Sequence, residues 1–262
     1  MNCTFKLLSL CLATAMAALA AGCSTGDDPA DSTGTGGMSG TGGNAATGAQ
    51  VLYGFDTDGE GFKLSDFKET EPYVNLGAPG ASDPAPTLTW PSKNFDSAVT
   101  TSGSIKVEAK YSFWTQSVSV QVAGPINNQG EPVDLSASRV KAQLFVEKGL
   151  SPYTGMDGTG GVVFYIKSAG YVWGQAEWRN VEQNGVWATL TFNTENPYKD
   201  GDNGTKEGWD PKNPFEIGFQ VSAGGGGGHC TDITMKGTDA CPEWAAPLDT
   251  VFYIDNITVQ KN

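Results

Sequence analysis

The chain has 262 residues and a formal charge of −13, from 29 acids against 16 bases. From Val51 onward there are 26 acids and 15 bases, a balance that argues against nucleic-acid binding, which normally shows a basic face. A single histidine, His229, argues against histidine-rich metal sites and against a Ser-His-Asp site, while 35 glycines, 7 tryptophans and 8 tyrosines point to short strands and many turns.

The chain opens with Lys6 and an apolar run from Leu7 to Leu19, too short for a stable membrane span. It then meets Ala20-Ala21-Gly22-Cys23. This resembles the bacterial lipoprotein signal, in which small residues precede a cysteine that is lipidated before cleavage, with Ala20 at the place where Leu is usual. The resemblance implies a signal over 1–22 and lipidation of Cys23. An ordinary secretory peptide with an incidental cysteine is the alternative. In the lipoproteins it resembles, an Asp after the cysteine favours the inner membrane, so the resemblance implies the outer membrane for Ser24. Residues 23–50 then form a tether: of the 27 residues after Cys23, 16 are Gly, Ser or Thr. Such a segment cannot repay the entropy of ordering, and its flexible span is about 30 Å.

The remaining segment, 51–262, is long enough for one β domain burying about 70% of its unfolded surface. Period-2 alternation recurs along it. Ile105, Val107, Ala109 and Tyr111 alternate with polar residues, as do Val118, Val120 and Val122. Val140, Ala142, Leu144 and Val146 oppose Lys141, Gln143, Phe145 and Glu147. Val162, Phe164 and Ile166 oppose Val163, Tyr165 and Lys167. Val186, Ala188, Leu190 and Phe192 oppose Trp187, Thr189, Thr191 and Asn193, and Ile217, Phe219 and Val221 oppose Glu216, Gly218 and Gln220. Asn184-Gly185 is a turn signal. The pattern predicts an all-β, two-sheet antiparallel sandwich of about ten strands. Cys230 and Cys241 are an even pair in an exported domain and read as a disulfide worth about 3 kcal/mol. A metal pair completed by His229 is the weaker alternative.

The order of the runs carries a further resemblance. Tyr53-Gly54-Phe55-Asp56 and Asp58-Gly59-Glu60-Gly61-Phe62 come first, then Tyr171-Val172-Trp173 and Trp178-Arg179-Asn180-Val181. Gly185-Val186-Trp187-Ala188-Thr189-Leu190-Thr191-Phe192 and Phe215-Glu216-Ile217-Gly218-Phe219-Gln220 follow, and Val251-Phe252-Tyr253-Ile254-Asp255-Asn256-Ile257-Thr258-Val259 closes the chain. Together they are similar to the galactose-binding-domain-like β-jelly roll of bacterial carbohydrate-binding modules, over nearly all of 51–262. Modules attached to mannanases and β-glucanases are the nearest in pattern. The resemblance implies a non-catalytic module that binds a β-mannan or β-glucan beside glycan-degrading enzymes. It also implies a structural calcium tying the first strand to the aspartate of the last, here Asp255 with Asp56 or Asp58. From the residues alone, Asp56, Asp58 and Glu60 place three carboxylates within five residues on a turn, as calcium favours, and as a plain Asp-Gly turn also would.

A pyranose ring packs its apolar C–H face on an aromatic ring and its hydroxyls against planar polar groups. The outward side of the alternation offers Gln121, Gln143, Phe145, Tyr165, Lys167, Thr189 and Gln220, read as one face. Tyr171, Trp173, Gln175, Trp178 and Arg179 add aromatics and polar groups near a rim, with Trp173 and Trp178 as the stacking platforms. Both also fit hairpin packing. A jelly-roll hydrolase or lyase would need paired carboxylates, for which Glu177, Glu182 and Glu216 are the candidates, and no defensible pair emerges. A protein-binding adhesion domain on the same fold is the other alternative.

Overall fold

The computed structural model describes residues 48–56, 58–69, 73–82, 84–90, 103–113, 116–127, 129–149, 161–180, 185–197, 207–222, 237–239 and 247–262. The predicted signal, Cys23, most of the linker, the Cys230–Cys241 pair, His229 and Glu182 lie outside the described residues.

The predicted alternation forms strands where it was clearest. They are β1 (Gln50–Tyr53), β2 (Lys63–Leu64), β3 (Val74–Asn75), β4 (Thr87–Thr89), β5 (Ile105–Tyr111), β6 (Gln116–Ala123), β7 (Ser138–Lys148), β8 (Gly161–Ser168), β9 (Val172–Gln175), β10 (Arg179–Asn180), β11 (Ala188–Asn193), β12 (Pro214–Ser222) and β13 (Leu248–Lys261). A 3-10 turn, Ala169–Tyr171, joins β8 to β9. The count exceeds ten because β2, β3, β4 and β10 have only two or three residues each, too few to show a period. Val186, read as strand, precedes β11 and is 62% exposed.

One sheet runs β11-β7-β13-β5-β4, with β1 also on β13. The other runs β10-β8-β12-β6-β2, with β9 also on β8 and β3 on β6. Pairing is antiparallel throughout the described residues except between β3 and β6. The protein is an all-β, two-sheet sandwich. A register break between Asp255 and Thr258, with Asn256 at φ 46°, lets β13 change partner from β5 to β1.

The inner faces supply the core. Phe164 stacks on Phe219 within the second sheet (4.8 Å, 5°) and meets Phe192 of the first edge-on at 6.0 Å. Burying each such ring stabilises by roughly 1.5–3 kcal/mol. Two tyrosines tie the sheets: Tyr111 Oη donates to the Val221 carbonyl and Tyr53 Oη to that of Ala123, each at 2.8 Å. β8 departs from the alternation, since Val163 and Tyr165 face away from the core yet are as buried as Val162 and Phe164. Something therefore covers the outer face of the second sheet.

Candidate functional site

The register assembles that face. Gln121 opposes Gly218, Gly218 opposes Tyr165 and Tyr165 opposes Gln175, so four strands contribute one row. The next row along is Glu216, Lys167 and Trp173, and on the other side lie Ser119, Gln220 and Val163. Directly opposed residues share a face, so these side chains converge.

Gly218 makes the centre possible. A Cβ there would lie 2.2 Å from Tyr165 Cζ, so the absent side chain is the space in which the tyrosine ring lies flat. Trp173 stacks on that ring, with centroids 4.0 Å apart and planes at 22°. Tyr165 is 1% exposed as a result, while Trp173 remains half-buried. Trp173 Nε1 donates to Gln175 Oε1 at 2.8 Å, which fixes the indole in its plane. Lys167 Nζ stands 5.2 Å from both ring centroids and pairs with Glu216 at 2.6 Å. Burial first, and then the Glu216 carboxylate, push the Tyr165 phenol well above its ordinary range, so it stays a neutral donor. Its hydroxyl donates to Gln121 Oε1 at 3.4 Å and also interacts with the Glu216 carboxylate.

A second polar knot lies beside this stack. Gln220 Nε2 donates to Glu69 Oε1 at 2.9 Å and to Ser117 Oγ at 3.2 Å. Burial raises the Glu69 carboxyl above its ordinary value, opposed by its hydrogen bonds to Gln220 and Ser117. Glu69 Oε2 and Gln175 Nε2 are buried without a hydrogen-bond partner, one an acceptor and the other a donor. The face therefore combines a preorganised indole with amides, a carboxylate and an ammonium group, the chemistry that a sugar ring and its hydroxyls require.

The sequence-predicted residues divide as follows. Gln121, Lys167, Trp173, Gln175 and Gln220 are brought together, and Tyr165 is with them but lies beneath Trp173, so it supports the platform and is not one itself. Trp178 is 40% exposed and lies over Gly161, its Cε3 3.4 Å from where a Cβ would be, on the same side of the sheet edge. Gln143, Phe145 and Thr189 belong to the other sheet. Gln143 accepts from Thr189 Oγ1 at 3.0 Å, and Phe145 packs between Trp187 (5.4 Å) and Tyr253 (5.9 Å). Alternation gives inside and outside but not which sheet, so one predicted face was two. Arg179 opposes Val162, and its Nη1 reaches the Thr189 carbonyl at 3.4 Å, so it bridges the sandwich edge instead of joining the face. Tyr171, 72% exposed, sits at the hairpin tip against Phe215 (4.8 Å), beyond the end of the sheet.

Sequence reasoning missed Gly218 and Glu69. A glycine opposite an outward tyrosine is a readable signal for the first; nothing in the sequence points to the second. Of the hydrolase candidates, Glu216 is held by Lys167, and Glu177 is exposed on the segment between β9 and β10.

The three residues expected to hold calcium differ in their surroundings. Among the described residues no three acidic, histidine or cysteine side chains are grouped to hold a metal. Asp56 and Asp58 are exposed, Asp58 Oδ1 accepting from the Glu60 amide at 2.7 Å, whereas Asp255 is fully buried and accepts from the Asn256 amide at 2.7 Å.

No family model matches the chain, and no curated protein matches it. Among solved structures, it is similar to a family 28 carbohydrate-binding module specific for non-crystalline cellulose (TM-score 0.44, 11% identity, covering 79% of this chain and 92% of that one). It is also similar to a family 22 xylan-binding domain from Paenibacillus barcinonensis (0.37, 9%, 83% and 99%). A third is the N-terminal cellulose-binding domain of β-1,4-glucanase C from Cellulomonas fimi (0.35, 15%, 79% and 93%). Likeness at these scores carries no argument about this chain.

Proposed function

We propose that the protein is a non-catalytic carbohydrate-binding module that takes a polysaccharide of the β-mannan or β-glucan class on the outer face of its second sheet. The observation that carries this is the Trp173–Tyr165 stack over Gly218. It holds an indole flat and half-exposed amid Gln121, Gln175, Lys167 and Gln220. An aromatic fixed before binding loses little further entropy on contact, which favours affinity. The resemblance of the sequence runs, from Tyr53 to Val259, to those of bacterial carbohydrate-binding modules supports the same reading. In it, Cys23 carries a lipid, residues 24–50 are the tether, and the module holds glycan near an outer membrane for degrading enzymes. A hydrolase is disfavoured by the carboxylates: Glu69 is engaged by Gln220 and Glu216 by Lys167.

The test is affinity electrophoresis of the full chain through gels containing mannan, xylan, mixed β-glucan or soluble cellulose derivatives. Retardation by one of them that is lost in Trp173→Ala supports the reading. Unchanged migration in all of them by folded protein overturns it.

A further inference from the structure

One end of the sandwich gathers apolar side chains that neither the core nor the sheet face uses. β1 starts at Gln50 beside Val259 of β13, so the described domain is entered at the end where β13 finishes. β7 begins there, with Ser138 opposite Lys261. The second sheet reaches the same end at Ala123, Ser168 and Pro214. Tyr53 of β1 donates to the Ala123 carbonyl at 2.8 Å, and Leu135, just before β7, donates its amide to the Pro211 carbonyl at 2.9 Å. Three exposed large apolar side chains lie on this end: Tyr171 (72% exposed), Phe215 (45%) and Ile126 (40%). Tyr171 meets Phe215 edge-on at 4.8 Å, and the Phe215 carbonyl accepts from the Gly124 amide, two residues before Ile126. Gly170 and Tyr171 both have left-handed backbone, φ 77° and 61°, which strains a tyrosine but not a glycine. The turn holds an aromatic ring out in solvent at a cost that no burial of that ring offsets.

What covers this patch is indicated by where the chain comes in and by charge. Ser24 to Gln50 is 27 residues, so a lipid on Cys23 would place this end of the sandwich, and not the opposite one, nearest the anchor. A chain of that length and composition spans about 30 Å, which gives an effective concentration on the order of millimolar at the bilayer surface. A contact too weak to form between separate molecules forms under that condition. Around the patch the exposed charges cancel. Lys261 lies 4.0 Å from Asp134 and donates to the Ser136 carbonyl, and the Lys212 amide donates to the Asp210 carboxylate at 3.0 Å. Balanced charge gives no attraction to anionic headgroups, whereas a tyrosine beside apolar groups suits the bilayer interface, where its ring is covered and its hydroxyl stays wet.

We propose that Tyr171, Phe215 and Ile126 form a lipid-facing contact by which the anchored domain rests end-on against a zwitterionic phospholipid surface. The strands then stand away from the bilayer, and the face carrying Trp173 opens to the side, clear of the lipid. This rests on the reading that Cys23 carries a lipid, because the patch alone is too small to hold the chain on a membrane.

The experiment floats the full chain, expressed with its signal in a bacterium that processes lipoproteins, on phosphatidylcholine vesicles. It compares ordinary lipid with lipid brominated on its acyl chains, a short-range quencher of tryptophan emission. Tyr171→Trp puts the probe on the patch. Its emission beyond the parent's is expected to fall about twofold in brominated vesicles, as for a ring seated at the headgroup–acyl boundary, and Phe215→Ser combined with it should remove the fall. Adding phosphatidylglycerol should not increase the quenching. Both positions are solvent-exposed, so the variants are expected to fold as the parent does, and a thermal melt checks this. Equal emission in the two lipids, from chain that floats, overturns the contact and leaves lipidation standing; a second copy covering the patch would give that result. Failure to float overturns lipidation and the contact with it. A glycan retardation altered by Tyr171→Ser would place the patch in the sugar site and overturns the proposal as well.

Discussion

Trp173 bears most of the predicted affinity because the groups around it were ordered before any ligand arrives. Gly218 admits Tyr165, Tyr165 supports the indole, and Gln175 holds its N–H. Gly218→Ala should therefore act at a distance. Its methyl would lie 2.2 Å from the ring below Trp173, forcing the stack off the sheet. Overpacking of this kind costs about 1–3 kcal/mol, so both the melting temperature and glycan affinity should fall. Loss of stability with affinity unchanged would show that the platform does not depend on this glycine. A second residue-scale prediction concerns Glu60, whose carboxyl is raised to about 7, by burial first and also by the charges of Asp58 and Asp56, against the amides of Phe55 and Gly54. Between the ordinary value of 4.5 and about 7, the folded chain binds more protons here than the unfolded chain. Stability therefore falls as pH rises through that window. Glu60→Gln should remove this fall, raising the melting temperature most above pH 7 and little near pH 4.5. A constant difference across pH would contradict it.

At the scale of elements, the two sheets are joined by a few polar ties as well as by the core. Tyr111 is fully buried, and its hydroxyl reaches the Val221 carbonyl. Tyr111→Phe leaves that acceptor unpaired and should cost about 1–3 kcal/mol in denaturant titration, with glycan affinity retained, because the tie is on the core side. The long strands were legible for a plain reason: β5, β7 and β13 bury one side, so burial imposes the period the sequence shows. The short edge strands were not, because β2, β3 and β10 depend on hydrogen bonds to β6 and β8 and not on any period of their own. β8 was legible as a strand but not as the floor of a site. Tyr165 reads as outward and exposed, and only the pairing with β9, which carries Trp173 over it, shows why it is buried.

At the scale of the whole molecule, the proposal is a glycan-binding sandwich carried after the Gly/Ser/Thr-rich segment that follows Cys23. The signal pattern and the Gly/Ser/Thr run were visible because they depend on local composition alone. Candidate site residues were half legible: Gln121, Lys167, Trp173, Gln175 and Gln220 converge, whereas Gln143 was assigned to the wrong sheet because alternation does not say which of two sheets a strand joins. Glu69 was invisible because it reaches Gln220 across 151 residues of chain. The proposed lipidation of Cys23 carries its own prediction. Cys23→Ser should move the protein from the membrane fraction to the soluble fraction without changing its glycan affinity, and retention of the variant in membranes would contradict lipidation at that cysteine. Polysaccharide binding by the outer face of the second sheet is decided by running the full chain and Trp173→Ala side by side through polysaccharide-containing gels. The account predicts that the parent is retarded by at least one β-mannan or β-glucan and that the folded variant runs free. Equal retardation of the two would place binding elsewhere on the molecule, and no retardation of either would contradict the claim outright.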